Sequence, residues 1–485
     1  MSPEPILAAV DDYRGTIDDL DNGRRIGPDA FAAGWQGLAR RMARSGLHEA
    51  DRVIVAVGNG PLFIATWAAV LAQGGAPLLA HVETPPAELK RIARQFRARF
   101  VATDAQQESD FEPFEARAQT LAYNAWTRIV WADFGDPAES GGASLLPLPG
   151  VPLHPTSGTT GRPKLAVRPA ATALAEARHY VENIGIDRHD RLLAVAPMSH
   201  AYGHGWYVVT PMFTGADLVT MRRFNAKMVF RACREHGITI LPAVASMLDA
   251  LMFGAGDRLY HPRRAVITGG GPLPERTAAN FERIAGTRVC PLYGTTEAGA
   301  IAVARARDPA AVGGCVGRPF DGVSVEIRPP DDPSDLVPGI GLVHVRSPSV
   351  MAGYLIDEKL DASALPGGWF NTGDLGYLDE QGALHLRGRQ AEVINVSGMK
   401  VLPSEVEEVI AALPGVAEVK VYAGTTRHGS HYVKAAVVAD NGIDVPQIKA
   451  HCERHLVYFK RPGRIILMDA LPRSSRGKIV REQLP

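Results

Sequence analysis

A chain of 485 residues exceeds what one ordinary hydrophobic core spans, so two or more domains are expected. Lys plus Arg and Asp plus Glu stand at 52 each, so no net field draws the molecule to nucleic acid or anionic lipid, and anion recognition has to be local. The composition, 46% hydrophobic and 21% charged, is that of a soluble globular protein, and Cys233, Cys290, Cys315 and Cys452 lie far apart without a CxxC pair in a chain whose size makes a disulfide framework unusual, which fits a reduced cytoplasm.

Met1 to Arg14 has acidic residues but no basic region followed by an apolar stretch, so a signal peptide is not expected. Pro61 to Ala72 is apolar yet shorter than the about 20 residues a bilayer requires, and no membrane span is expected. From Asp51 to about residue 104, strand-like and helical stretches alternate: 51 to 57 a strand, 61 to 73 a helix, 77 to 80 an apolar run, 86 to 97 a helix, and a last run from Arg99. Such alternation predicts a parallel sheet. In the second helix Leu89, Ile92, Ala93 and Phe96 share one face, and Thr84-Pro85 supplies a start. A second βα lobe is predicted from Arg191 to Val289, with buried-type strands at 192–196 and 238–241.

From Val316 to Arg387 the pattern turns to short β-like runs punctuated by Gly, Pro and Asp, which predicts a small β-rich subdomain. Beyond Gly388 a compact α+β domain is predicted. Ser404-Glu-Val-Glu reads as a capping box, Val406, Val409, Ile410 and Leu413 share a helical face, and strand, strand, helix, strand follow at 416–422, 433–438, 446–457 and 464–468. The expected architecture is α/β: a large N-terminal domain over 1–388 made of two βα lobes plus the β-rich subdomain, a hinge at 389–391, and a small mobile C-terminal domain over 392–485.

Chemistry concentrates in a few stretches. Thr156, Ser157, Gly158, Thr159 and Thr160 lead through Gly-Arg-Pro to Lys164, a loop whose glycines admit backbone N–H groups to an anion, whose hydroxyls add donors, and whose lysine supplies charge. Its spacing is not that of a Walker loop, and a flexible surface turn is the plain alternative. Glu297 closes Tyr293-Gly294-Thr295-Thr296-Glu297, a hydroxyl-rich turn suited to a hard oxygen ligand for Mg²⁺. Asp374, in Asn-Thr-Gly-Asp, offers acceptors without competing donors, as a pair of ribose hydroxyls requires; a turn-capping aspartate is the alternative. Pro197-Met-Ser-His200-Ala-Tyr202-Gly203-His204-Gly-Trp206 mixes imidazoles, aromatics and glycine after an apolar strand, and for His204 and Trp206 packing and ligand roles both stay open.

Together with Gly269-Gly270-Gly271-Pro-Leu, Gly388-Arg389, Ser397-Gly398-Met-Lys and Pro472-Arg-Ser-Ser-Arg-Gly-Lys478, these stretches stand in the order found in the acyl-adenylate-forming superfamily. The chain resembles its AMP-forming acyl- and aryl-CoA ligases from about residue 50 to the end. The resemblance implies an enzyme that uses ATP and Mg²⁺ to adenylate a carboxylic acid and passes the acyl group to coenzyme A with release of AMP and pyrophosphate; the aromatic and small residues around Tyr202 and Gly203, with the modest length, point to an acid of aromatic or medium size. It implies Lys478 as the main catalytic residue of adenylation, Glu297 and Thr160 at the metal, and Tyr293 against adenine. It implies Gly269, Gly270 and Gly271 close to the base and the acyl carboxylate, and Arg389 on ribose or phosphate. His200, Tyr202 and Gly203 would line the acyl pocket, with His200 shielding the adenylate, and Ser397 and Gly398 would flank the pantetheine arm. An acyl carrier protein in place of coenzyme A, or a non-catalytic nucleotide-binding module, are the competing implications, and a homodimer is left open. Ala391 departs from the Asp or Lys common at the hinge, with Glu392 beside it as a substitute polar contact. No Asp occurs in 200–206 to hold a substrate ammonium, which argues against an α-amino acid.

Overall fold

The computed structural model describes residues 3–114, 116–125, 127–135, 148, 152–156, 164–254, 261–305, 314–330, 339–396, 399–425, 431–440, 442–473 and 479–485. Contacts group the chain into two compact units, Met1–Ser324 with Val345–Phe370, and Val325–His344 with Asn371–Pro485. The first is built on two nine-stranded sheets.

In one sheet Ala76–Leu79, Arg52–Ala56 and Phe100–Thr103 run parallel, as the βα alternation predicts. The helix Pro86–Gln95 turns Leu89 and Ala93 into the core of that sheet, with Ile92 and Phe96 packed at its margin. The other sheet has Asp217–Thr220, Arg191–Ala194, Ile240–Ala243, Ala265–Thr268 and Val289–Thr295 in parallel. Its far edge comes from the start of the chain: Ile17–Asp19 lies parallel to Asp217–Thr220 and pairs with Arg24–Ile26 as a hairpin.

The stretch 316–387 is β-rich as expected, and its strands are shared among three sheets. Arg318–Pro319 extends one large sheet, Gly353–Ile356 and Lys359–Asp361 extend the other, and Ser324–Arg328, Gly341–Arg346, Phe370–Leu378 and Leu384–Arg389 make a separate four-stranded sheet. Most of that last sheet belongs to the second unit. There the strands Val416–Thr425, His431–Ala439 and Arg464–Leu467 carry the helices Pro403–Ala411 and Val445–His455 over a core of Val406, Ile410, Val421, Val433, Ile448 and Ile465.

The expected capping box at Ser404 is not formed. The helix begins at Pro403, whose missing N–H and fixed φ suit a first turn, so Ser404 already lies inside it. The Ser404 hydroxyl donates to the Arg387 carbonyl at 2.6 Å, and Glu407 accepts from the Val421 N–H at 2.8 Å. A reciprocal box forms instead at Asp444 and Gln447, at the head of the other helix.

Candidate functional site

In the first unit Leu153–Thr156 and Lys164–Val167 are antiparallel neighbours, with Thr156 opposite Lys164. Ser157, Gly158, Thr159 and Thr160 lie outside the described residues. Lys164 Nζ rests 5.0 Å from the centre of the Tyr354 ring, and the Tyr354 hydroxyl donates to Glu297 Oε1 at 2.9 Å. Burial, followed by the adjoining carboxylate, holds the Tyr354 phenol above its ordinary range, so it stays a donor.

Glu297 sits in the turn joining the antiparallel strands Val289–Thr295 and Gly299–Val303. The turn is tight: a Cβ on Gly294 would lie 2.4 Å from the Gly299 carbonyl oxygen, Gly299 itself has φ +69°, and Ala298 N–H donates to the Thr295 hydroxyl at 3.0 Å. Met351 N–H holds the Glu297 carbonyl at 2.7 Å. Among the described residues Glu297 has no ion-pair partner, only the neutral phenol. A carboxylate of that kind beside Thr295 and Thr296 fits a hard divalent cation, which prefers oxygen donors and would have to displace any lysine or arginine. Tyr293 is buried in the preceding strand, opposite Ala302.

Tyr202 and Gly269 come together across the sheet ends. A Cβ on Gly269 would lie 2.6 Å from the Tyr202 ring, and the Tyr202 hydroxyl bridges the carbonyls of Ala243 and Ile267 at 3.2 and 3.1 Å. Gly270 follows with φ +78°, a conformation that favours glycine, while a Cβ on Gly271 would meet open space. His200 stands at the N-cap of the short helix Ala201–His204, 6.5 Å from the His81 ring. Gly203 is required by packing, since a Cβ there would lie 2.1 Å from the Pro197 carbonyl oxygen.

His204 and Trp206, left open by the sequence, are both core residues. Trp206 stacks on Tyr180 at 4.1 Å, and His204 is wedged edge-on between His154 and Trp67 at 5.2 and 5.1 Å. Burial, then Arg168, pushes the His204 imidazole down to about 3, and burial, followed by His204 and Arg168, lowers His154 as well.

In the second unit Asp374 and Arg389 are register partners on adjacent antiparallel strands, with Arg389 Nε 2.7 Å from Asp374 Oδ1. The turn-capping role belongs to Asn371, whose side chain accepts the Gly373 N–H at 2.9 Å. Thr372 fixes the segment from the other side, donating to the Val343 carbonyl at 2.9 Å and accepting the Asp374 N–H at 3.1 Å. Ser397 and Gly398, between the paired strands Ile394–Val396 and Met399–Val401, lie outside the described residues, as does Lys478. Arg473 and Ile479, which flank the Lys478 stretch, form an antiparallel bridge. Glu392 supplies the polar contact expected beside Ala391, lying 2.6 Å from Arg481 and 3.9 Å from Lys420.

Sequence reasoning missed Tyr354 and Thr372. Thr372 was within a recognised motif, but Tyr354 follows a glycine in an ordinary strand with no chemical neighbour in sequence. Its partners are distant in the chain, so only the fold brings them together.

The family description "AMP-binding enzyme" matches residues 21–355, and "AMP-binding enzyme C-terminal domain" matches residues 405–478. The chain belongs to the AMP-binding enzyme family, within the acyl-adenylate-forming superfamily. A 2-succinylbenzoate–CoA ligase of Bacillus licheniformis is 32% identical over 331 residues, 68% of each chain. A 3-[(3aS,4S,7aS)-7a-methyl-1,5-dioxo-octahydro-1H-inden-4-yl]propanoyl:CoA ligase of Mycobacterium tuberculosis is 32% identical over 347 residues, 68% of this chain and 64% of that protein. Among solved structures, ATP-bound MatB from Rhodopseudomonas palustris superposes with a TM-score of 0.85 at 24% identity, covering 99% of this chain and 97% of that one. The o-succinylbenzoate CoA synthetase MenE from Bacillus subtilis, in complex with its acyl-adenylate intermediate OSB-AMP, gives 0.81 at 23% identity with the same coverage. These likenesses establish the shared fold of this AMP-binding enzyme. No helix among the described residues is long and apolar enough to cross a membrane.

Proposed function

We propose that this AMP-binding enzyme is an ATP-dependent acid–thiol ligase that adenylates a carboxylic acid of aromatic or medium size and transfers the acyl group to coenzyme A, in the cytoplasm. The single observation that carries the reading is the Glu297 turn: a carboxylate whose side chain, among the described residues, is bonded only to a neutral phenol, with Lys164 over the ring of that phenol. This arrangement suits a cation-bridged triphosphate. The relatives' names as CoA ligases favour coenzyme A over a carrier protein as acceptor.

In this reading Lys164 and the loop Thr156, Ser157, Gly158, Thr159 and Thr160 hold the β- and γ-phosphates. Glu297 and Thr160 would hold Mg²⁺, which would supply neutralising charge for the phosphates. Tyr293, Gly294, Thr295, Thr296 and Gly269 to Gly271 seat the adenine and the acyl carboxylate, with His200, Tyr202 and Gly203 walling the acid. Asp374 accepts the ribose hydroxyls and Arg389 follows it. Lys478 places its ammonium between the attacking carboxylate and the α-phosphate, lowering repulsion as the carboxylate oxygen bonds phosphorus and pyrophosphate leaves. Ser397 and Gly398 then receive the pantetheine thiol, which displaces AMP. We place the rotation point between the two half-reactions at 389–391.

Pyrophosphate release with Mg-ATP across aromatic, fatty and amino acids, each with and without coenzyme A, tests the reading. CoA-dependent turnover confined to one acid class is expected; release of about one equivalent regardless of CoA would replace coenzyme A with a carrier protein. Lys478→Ala is expected to abolish acyl-adenylate formation and spare thiol transfer from supplied adenylate, whereas equal loss of both half-reactions would remove the assigned role.

A further inference from the structure

We infer that Tyr354 is a positioning residue for the metal carboxylate, aiming Glu297 at the cation while keeping Lys164 from neutralising it. The inference rests on Glu297 being the magnesium ligand. The backbone of Tyr354 is fixed on both sides by its strand, with Ala166 opposite on one neighbour and Asp361 on the other. One strand away, Lys164 places its ammonium on the ring face, and across the unit Glu297 offers Oε1 to the ring's hydroxyl.

Each contact has a consequence. A free glutamate side chain rotates and spends part of its time aimed away from a ligand; the phenolic O–H fixes one oxygen and leaves the other for a cation. Because the donor is neutral, the carboxylate keeps its full charge, which an arginine or lysine partner would have cancelled. The ammonium rests on a π face, a contact weak enough to yield to a phosphate oxygen. The backbone of Glu297 is meanwhile pinned by the Met351 N–H at 2.7 Å, so the phenol sets only the orientation of the carboxylate. Outer partners of this kind govern metal affinity by about 10- to 100-fold when removed.

The test uses the full chain with Tyr354→Phe, which keeps the ring under Lys164 and deletes only the hydroxyl. Mn²⁺ serves as the probe, its free concentration followed by electron paramagnetic resonance during titration at saturating ATP. The dissociation constant for Mn²⁺ is expected to rise about tenfold. ATP binding by calorimetry without metal should stay within about twofold of the parent, because the lysine and its ring are intact. Glu297→Gln, measured in parallel, should weaken Mn²⁺ at least as much. Unchanged Mn²⁺ affinity in Tyr354→Phe beside a weakened Glu297→Gln would overturn the positioning role alone. Unchanged affinity in both would overturn the magnesium assignment of Glu297, and the role of Tyr354 with it. Loss of metal-free ATP binding in Tyr354→Phe would also overturn the proposal, since the hydroxyl would then serve the nucleotide site at large.

Discussion

Two arginine–carboxylate pairs of almost equal length serve opposite ends in this protein. In the first unit Arg168 and Glu176 meet at 2.8 Å with side chains 2% and 4% exposed; in the second, Arg389 and Asp374 meet at 2.7 Å with side chains 50% and 10% exposed. The buried pair is held by further protein contacts: Glu176 also accepts the Tyr180 hydroxyl at 2.8 Å, and Arg168 also donates to the Ser349 carbonyl at 3.3 Å. Gly299 and Gly205 press so closely on it that a Cβ on either would meet the Glu176 carboxylate at about 3 Å. The outer pair has a guanidinium half in solvent, so water can take its place on Asp374 at small cost, as the proposed ribose contact requires. The same chemistry is fixed in place where desolvation forbids exchange and stays exchangeable where water reaches it.

The strongest way to break this contrast is Arg168→Ala, which strands a buried carboxylate and is expected to cost about 3–5 kcal/mol of unfolding free energy, read as a lower urea midpoint. Replacing both partners, Arg168→Met with Glu176→Leu, should recover much of that loss; no recovery would mean the pair's hydrogen bonds to Tyr180 and Ser349 matter more than its charges. Asp374→Ala should lower kcat/KM for ATP on the order of a thousandfold, as expected for losing two hydrogen bonds to a charged acceptor. Its melting temperature should barely move, and a large fall would make Asp374 a scaffold residue after all.

Acid sharpens the contrast further. His204 lies beside the Arg168 site with its imidazole pushed down to about 3, against an ordinary value of 6.5, by burial and then by Arg168. The unfolded chain therefore binds the proton first as pH falls, so the stability this group contributes is present above about pH 6.5 and drains away towards pH 3, at up to about 1.4 kcal/mol per pH unit. His204→Gln, neutral throughout, should give a shallower dependence of the urea midpoint on pH between 7 and 4. The smallest effects belong to the helix starts of the second unit: Asp444→Ala should cost about 1 kcal/mol by removing a formed capping box, and Ser404→Ala less, since its hydroxyl caps nothing.

That last pair shows where local sequence ceases to decide. Ser404 and Glu407 have the spacing of a capping box, but Pro403 takes the first helical position and the strand Val416–Thr425 claims Glu407 through Val421 and Lys420. The βα alternation of 51–104, the helix faces at 89–96 and 406–413, and the motif order that placed the chain in its family were all set by sequence, because periodicity and backbone-specific residues act over a few positions. So were Asp374 and Glu297 as candidate ligands, each embedded in glycine and hydroxyl residues.

Tertiary structure alone determined the rest. The segment Ile17–Ile26 reads as nothing distinctive until Asp217–Thr220 offers it a sheet edge, and the β-like runs of 316–387 carry no local signal of which of three sheets each will join. Strand pairing is a contact between distant parts of the chain, so it cannot be written into either strand by itself. The same holds for Tyr354, whose meaning depends on Lys164 and Glu297 arriving from elsewhere, and for His204, which only burial turns from a candidate ligand into core. Sequence supplied the groups capable of chemistry, and the fold chose among them by deciding which would be desolvated, which paired, and which left facing a ligand.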